Sequence, residues 1–123
     1  MIVGIGIDVV QISRLEKWTG NPEMLERFFD PRELSIIRER GKAMLSSLAA
    51  RFAAKEAFGK ALGTGLEGIA LTDIMVLNRA DERPSLYLEG SALKAMKAAG
   101  AGQAHISLSH DGGIAIASVI LEA

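Results

Sequence analysis

The segment HISLSHDGGIAIASVIL, His105 to Leu121, holds two apolar, β-rich runs, His105–His110 and Ile114–Leu121, around Asp111-Gly112-Gly113. Such a turn between alternating runs is a strong hairpin signal, and a hairpin makes its strands antiparallel. Upstream, Leu71–Leu77 and Ser85–Leu88 read as two further strands around the polar turn Asn78 to Pro84, and Ser91–Ala99 as a short helix closed by Gly100. At the other end of the chain, Ile2 to Val10 reads as a strand with Ile5, Ile7 and Val9 on one face and Gly4, Gly6 and Asp8 on the other. A strand, then helices, then mainly strands joined by short turns predicts an α+β fold with an antiparallel sheet, one long helix and several short helices. The strands carry few polar positions, so both faces of the sheet are expected to be covered.

The helices announce themselves by their ends. Asn21-Pro22 and Asp30-Pro31 each place a capping side chain before a proline at the first helical position, and Glu33 completes Asp30-x-x-Glu. Helices over about 22–29 and 31–40 follow. Ser13-Arg14-Leu15-Glu16 has the same capping-box spacing and predicts a short helix from Arg14 to about Trp18. After Gly41, residues Lys42 to Leu62 are dense in Ala, Leu, Lys, Arg and Glu, the strongest helix formers, and Gly63 ends the run.

At 123 residues, 49% apolar and 24% charged, the chain is one globular domain spanning 1–123, with no repeat or linker. Six aromatics against thirteen Gly mean a core of aliphatic and small residues, and self-association would add stability. A net charge of -1 argues against a nucleic-acid coat or a membrane-seeking surface. Residues 38–60 nonetheless carry a local surplus of positive charge from Arg38, Arg40, Lys42, Arg51, Lys55 and Lys60. This segment is either a site for phosphates or an acidic partner, or simply a solvated helix face. Without cysteine there is no thiol nucleophile and no thiolate metal site. The opening residues lack a basic leader, and no apolar run approaches the roughly 20 residues of a membrane span, so the cytoplasm is the expected location.

Stepping by three and four along the long helix, Leu45, Leu48, Ala49 and Phe52 trace an apolar stripe whose next positions are Lys55 and Glu56. A carboxylate at the edge of a core-facing surface needs a cation, because burying it unpaired is costly. Lys60, four residues on, is the plain surface partner. The alternative is that the helix crosses the first strand, so that Glu56 and Asp8 converge on one cation. Two carboxylates without thiolates suit magnesium, which keeps water and completes its shell from substrate phosphates. Arg51, Lys55 and Lys60 could face those phosphates, and Gly63-Thr64-Gly65 would let backbone amides approach an anion. Gly63 is equally well a simple helix C-cap, and Ser109-His110, where a strand enters the hairpin, either reaches a cleft or is an ordinary turn.

Three segments in order, Gly4-Ile5-Gly6-Ile7-Asp8-Val9-Val10, Arg51-Phe52-Ala53-Ala54-Lys55-Glu56-Ala57-Phe58 with Lys60 to Gly65, and Ser107-Leu108-Ser109-His110-Asp111, resemble the small bacterial holo-(acyl carrier protein) synthases of the 4'-phosphopantetheinyl transferase family. The resemblance implies transfer of 4'-phosphopantetheine from coenzyme A to a serine of apo acyl carrier protein, leaving adenosine 3',5'-bisphosphate. It also implies a magnesium-dependent homotrimer that binds coenzyme A between subunits. Carried onto this chain, it makes Asp8 and Glu56 metal ligands. Arg51 and Lys60 become phosphate contacts, and Gly63, Thr64 and Gly65 a loop beside the nucleotide. Ser109 and His110 form the far wall, and Arg14 and Arg27 are contacts for the acidic carrier protein. Gln11, Gly59, Ile114 and the turn Asp81-Glu82-Arg83-Pro84 depart from the family's usual residues, Gly59 at about 1 kcal/mol of helix propensity relative to Ala. The proton acceptor stays open among Asp8, Glu56 through water, and metal-bound water. The competing readings are a coenzyme A or nucleotide-binding module without catalysis, and a hydrolase that uses water as acceptor.

Overall fold

The computed structural model describes residues 1–123. Strand β1 (Ile2–Gln11) lies at one edge of a three-stranded antiparallel sheet whose centre is β5 (Ile114–Glu122) and whose other edge is β4 (Gln103–Asp111). The β4–β5 hairpin turns through Gly112 and Gly113, with φ of 56° and 81°, the positive pair that a two-residue turn between twisted strands requires. A second, separate hairpin pairs β2 (Ile74–Asn78) with β3 (Pro84–Leu88). The fold is thus α+β with antiparallel pairing throughout, in two sheets where one was expected.

Five helices complete the chain: α1 (Glu16–Thr19), α2 (Pro22–Phe28), α3 (Pro31–Arg38), α4 (Met44–Leu62) and α5 (Gly90–Ala98). The caps at Asn21 and Asp30 form as the sequence indicates, Asn21 Oδ1 accepting from the Met24 amide at 3.2 Å and Asp30 closing a full capping box with Glu33. The Ser13 box does not form. Its residues wind into a 3-10 turn, Ile12–Leu15, with no side-chain cap, because the Ile12 amide is tied to Gly113 O at 2.9 Å and Leu15 is drawn into the core. Residues 71–73 are likewise a 3-10 turn rather than the start of β2. Here the Asp73 carboxylate accepts from the amide and hydroxyl of Ser91, at 2.8 and 2.6 Å.

The long helix α4 lies across the inner face of β1 and β5. It is buried nearly all round rather than along one stripe, with Leu48, Ala49, Ala50, Ala53, Ala54, Ala57, Phe58 and Ala61 all in the core. Small residues on both partners allow the approach. A Cβ at Gly4 or Gly6 would overlap the carbonyl oxygens of Ala61 and Ala57 respectively. Gly59 has a similar role on the other flank, where an added Cβ would come 2.8 Å from Leu66 Cγ in the loop that folds back on the helix.

Because β1 turns its glycines toward α4, alternation sends Ile5, Ile7 and Val9 outward, where they are 64%, 58% and 55% exposed. Ile114 and Ile116 on β5 extend the same face. The expectation that both faces would be covered is therefore corrected for the single chain: its helices cover one face and leave the other bare. The basic run is corrected too. Arg51 and Lys55 are buried, so residues 38–60 do not form one cationic surface. No helix is long and apolar enough to cross a membrane.

Candidate active site

Asp8 and Glu56 come from elements that the Gly4 and Gly6 contacts press together. Asp8 is on the inner side of β1, opposite Ala117 of β5, and its side chain is 15% exposed. Lys60 reaches over from the last turn of α4 and donates to Asp8 Oδ1 at 3.0 Å, with more than half of its own side chain in solvent. The plain surface pair of Glu56 with Lys60 is thus not what forms. Glu56, one turn earlier, is half-buried. Burial and then the charge of Asp8 push its carboxyl above the ordinary glutamate value, against the opposing pull of Lys60 and Arg14. Arg14 is positioned by the 3-10 turn that follows β1. Two carboxylates and two cations therefore share one field. No third Asp, Glu or His joins the carboxylates to make a complete metal cage.

A second group of residues lines a cleft of about 270 Å³ between α4, the β2–β3 hairpin and the end of β4. Arg51 is fixed in its wall by donating to Ser47 Oγ (2.6 Å), Val76 O (3.3 Å) and Asn78 Oδ1 (3.4 Å). Burial, and next the charge of Arg40, pull its guanidinium below the usual arginine value, with Glu33 opposing. Ser109 and His110 also line this cleft, with Arg40 from the basic run, Glu82 from the turn before Pro84, and Ser47 and Asn78, which had not been expected as site residues. Ser47 lies one turn before Arg51, a spacing legible in advance. Asn78 and Glu82 arrive by tertiary folding alone. Asp8, Glu56 and Lys60 do not line this cleft, so one chain carries two separate half-sites.

Two expectations change in detail. Lys55 does not face phosphate: it is fully buried and bonded to Glu33 Oε1 at 2.7 Å. In the loop after α4, the amides of Gly63 and Gly65 are used internally, donating to Lys60 O and Gly59 O at 3.1 Å each. Gly63, with φ 81°, is the helix C-cap, and Thr64 is exposed with its amide unbonded within the chain. Arg27 is exposed in the last turn of α2 and makes no ion pair.

An α+β chain thus presents a carboxylate pair with a lysine and, apart from them, an arginine-walled cleft, groups that could hold a cation and an anion. Residues 4–117 match the model of the 4'-phosphopantetheinyl transferase superfamily. Among its relatives, the holo-[acyl-carrier-protein] synthase of Treponema denticola is 53% identical over 99% of both chains. That of Trichlorobacter lovleyi is 55% identical over 100% of this chain and 99% of its own. Among solved structures, holo-[acyl-carrier-protein] synthase from Neisseria meningitidis superposes with a TM-score of 0.89 at 32% identity over the full length of both chains. The Helicobacter pylori synthase in complex with coenzyme A gives 0.82 at 34% identity, covering 96% of this chain and 99% of that one. The chain belongs to the 4'-phosphopantetheinyl transferase superfamily, and it is a phosphopantetheinyl transferase enzyme.

Proposed function

We propose that this enzyme transfers 4'-phosphopantetheine from coenzyme A to a serine hydroxyl of apo acyl carrier protein and releases adenosine 3',5'-bisphosphate, with magnesium as cofactor. The observation that carries this reading is the placement of Asp8, Glu56 and Lys60 together. Asp8 and Glu56 would hold the magnesium ion: burial first, and the charge of Asp8 second, raise the Glu56 carboxyl, and a divalent cation would offset both. Two carboxylates would leave the other positions of such an ion to substrate and water oxygens, the arrangement magnesium favours. When bound, the ion supplies charge neutralisation at the phosphorus under attack.

The chain's own groups do the rest. Lys60 is anchored by Asp8 yet exposed, so its ammonium can meet the oxygen that becomes negative as the phosphoanhydride breaks. Arg51, clamped by three hydrogen bonds, presents fixed positive charge to the phosphates of the nucleotide, with Ser109 and His110 across the cleft. Gly63, Thr64 and Gly65 border the nucleotide, Thr64 supplying the one unused amide. Arg14, close enough to bias Glu56, would dock an acidic helix of the carrier protein beside the reacting centre, with Arg27 further out. The relatives named for acyl-carrier-protein synthase activity, and the one solved with coenzyme A, support both substrates.

Two observations favour self-association, and the number of copies, three, is what the family resemblance implies. The outer sheet face carries Ile5, Ile7, Val9, Ile114 and Ile116 in solvent, and the two half-sites lie apart on one chain. Packing the bare face against another copy would cover the apolar residues and allow the cleft of one subunit to meet the carboxylates of its neighbour. The reading places the enzyme in the cytoplasm. The direct test is charging of purified apo acyl carrier protein by coenzyme A, read as a mass gain of one phosphopantetheinyl arm that a chelator abolishes. No transfer at saturating magnesium would contradict the proposal, and release of phosphopantetheine to water without carrier protein would favour a hydrolase.

A further inference from the structure

Beside the arginine-walled cleft, a buried ion pair joins α3 to α4 and to β2. Glu33, in the first turn of α3, is fully buried. Its Oε1 accepts from the Asp30 amide at 3.1 Å and from Lys55 Nζ at 2.7 Å, and its Oε2 accepts from the Val76 amide at 3.0 Å. Lys55, equally buried, also donates to Leu71 O at 2.9 Å and to Ile74 O, with its ammonium 5.1 Å from the centre of the Phe29 ring. Desolvation alone makes such a pair a poor source of stability compared with well-packed apolar residues. What apolar residues would not supply is direction.

Direction matters for β2, which pairs on one side only, with β3. Its other edge is held by side chains of α3 and α4 at Ile74 and Val76, and Arg51 also reaches the Asn78 side chain. Lys55 binds Ile74 O, Glu33 binds Val76 N–H, and Arg51 binds both Val76 O and Asn78 Oδ1. A slip of one residue would turn Asn78 away from Arg51 and invert the strand's faces. We infer that Glu33 is a positioning residue for the donor-nucleotide cleft: through Val76 it sets the register of β2 on α4, and so the place of Asn78 and the plane of Arg51 in the cleft wall. This rests on the proposal that coenzyme A occupies that cleft.

Two charge-neutral pairs separate positioning from stability. In Glu33→Gln/Lys55→Met the amide oxygen can still accept from Val76 N–H, giving up only the bond from the Asp30 amide, whereas in Glu33→Leu/Lys55→Met neither amide keeps an acceptor. Calorimetric titration with coenzyme A and magnesium, together with KM for each substrate, should show the Gln pair folded and within about threefold of wild type. The Leu pair should bind coenzyme A at least tenfold more weakly, with KM for the carrier protein unchanged. A folded Leu pair with wild-type affinity overturns the inference. So does a Gln pair that fails to fold or loses tenfold, and this outcome stands even if the Leu pair does not fold. Wild-type protein that does not bind coenzyme A would overturn the functional reading as well, which sets the two failures apart.

Discussion

Glu56 is held above the ordinary glutamate range by burial and by the charge of Asp8, so in the metal-free protein its ionised form works against the fold. The folded state binds this proton more tightly than the unfolded chain does. The stability associated with the proton is complete below the unfolded value, near 4.5, and is lost as pH rises through the higher folded value. Glu56→Gln mimics the protonated form and keeps that stability. Differential scanning calorimetry of metal-free protein should therefore give Glu56→Gln a higher Tm than wild type at neutral pH, with the difference vanishing below about pH 4. The same variant should lose transfer by orders of magnitude at ordinary magnesium concentrations. Activity within severalfold of wild type would remove Glu56 from the ligand set. Arg14 is the proposed contact for the other substrate. Arg14→Ala should raise KM for carrier protein more than KM for coenzyme A, by a factor that shrinks as salt screens the interaction. Equal effects on both substrates would count against docking.

At the scale of elements, the approach of β1 to α4 depends on two glycines. Gly6→Ala would drive a methyl into the Ala57 carbonyl, which as helical backbone has no free rotation with which to yield. The cost should be about 3 kcal/mol or more in urea unfolding, at the upper end for overpacking, and the displaced helix should take Glu56 away from Asp8. A loss below about 1 kcal/mol would mean the two elements are not so tightly seated. Much at this scale was legible beforehand. The Asn21 and Asp30 caps, the Gly63 stop and the Gly112-Gly113 turn are local devices whose chemistry sits within a few residues, and all four form. Ser13 has equally good local spacing and does not cap, because the bond from Ile12 to Gly113 and the burial of Leu15 prevail over it. Lys55 shows the same limit. Its place beside Arg51 and Lys60 suggested a surface cation, but its partners Glu33, Leu71 and Ile74 are remote in sequence and meet only in the folded core.

At the scale of the molecule, the outer sheet face follows from the same alternation. Once Gly4 and Gly6 face α4, Ile5, Ile7 and Val9 must point away, and the chain's helices lie on the opposite side. The β-periodicity of β1 was therefore readable, while the bareness of its outer face was not, since that depends on where every other element packs. Contiguous exposed apolar residues of this kind mark an association surface. In the proposed homotrimer, Ile7→Glu should leave single chains in sedimentation experiments and abolish transfer, because each cleft would lose the neighbouring carboxylates. A variant that stays assembled and active would mean that another surface joins the subunits.

In the proposed mechanism Asp8 and Glu56 share one divalent ion with the donor pyrophosphate. A crystal grown with coenzyme A and manganese, measured at the manganese absorption edge, tests this most directly. The predicted result is an anomalous peak within about 2.2 Å of carboxylate oxygens from both residues and of pyrophosphate oxygens. A fully bound coenzyme A with no peak between the two carboxylates would contradict it.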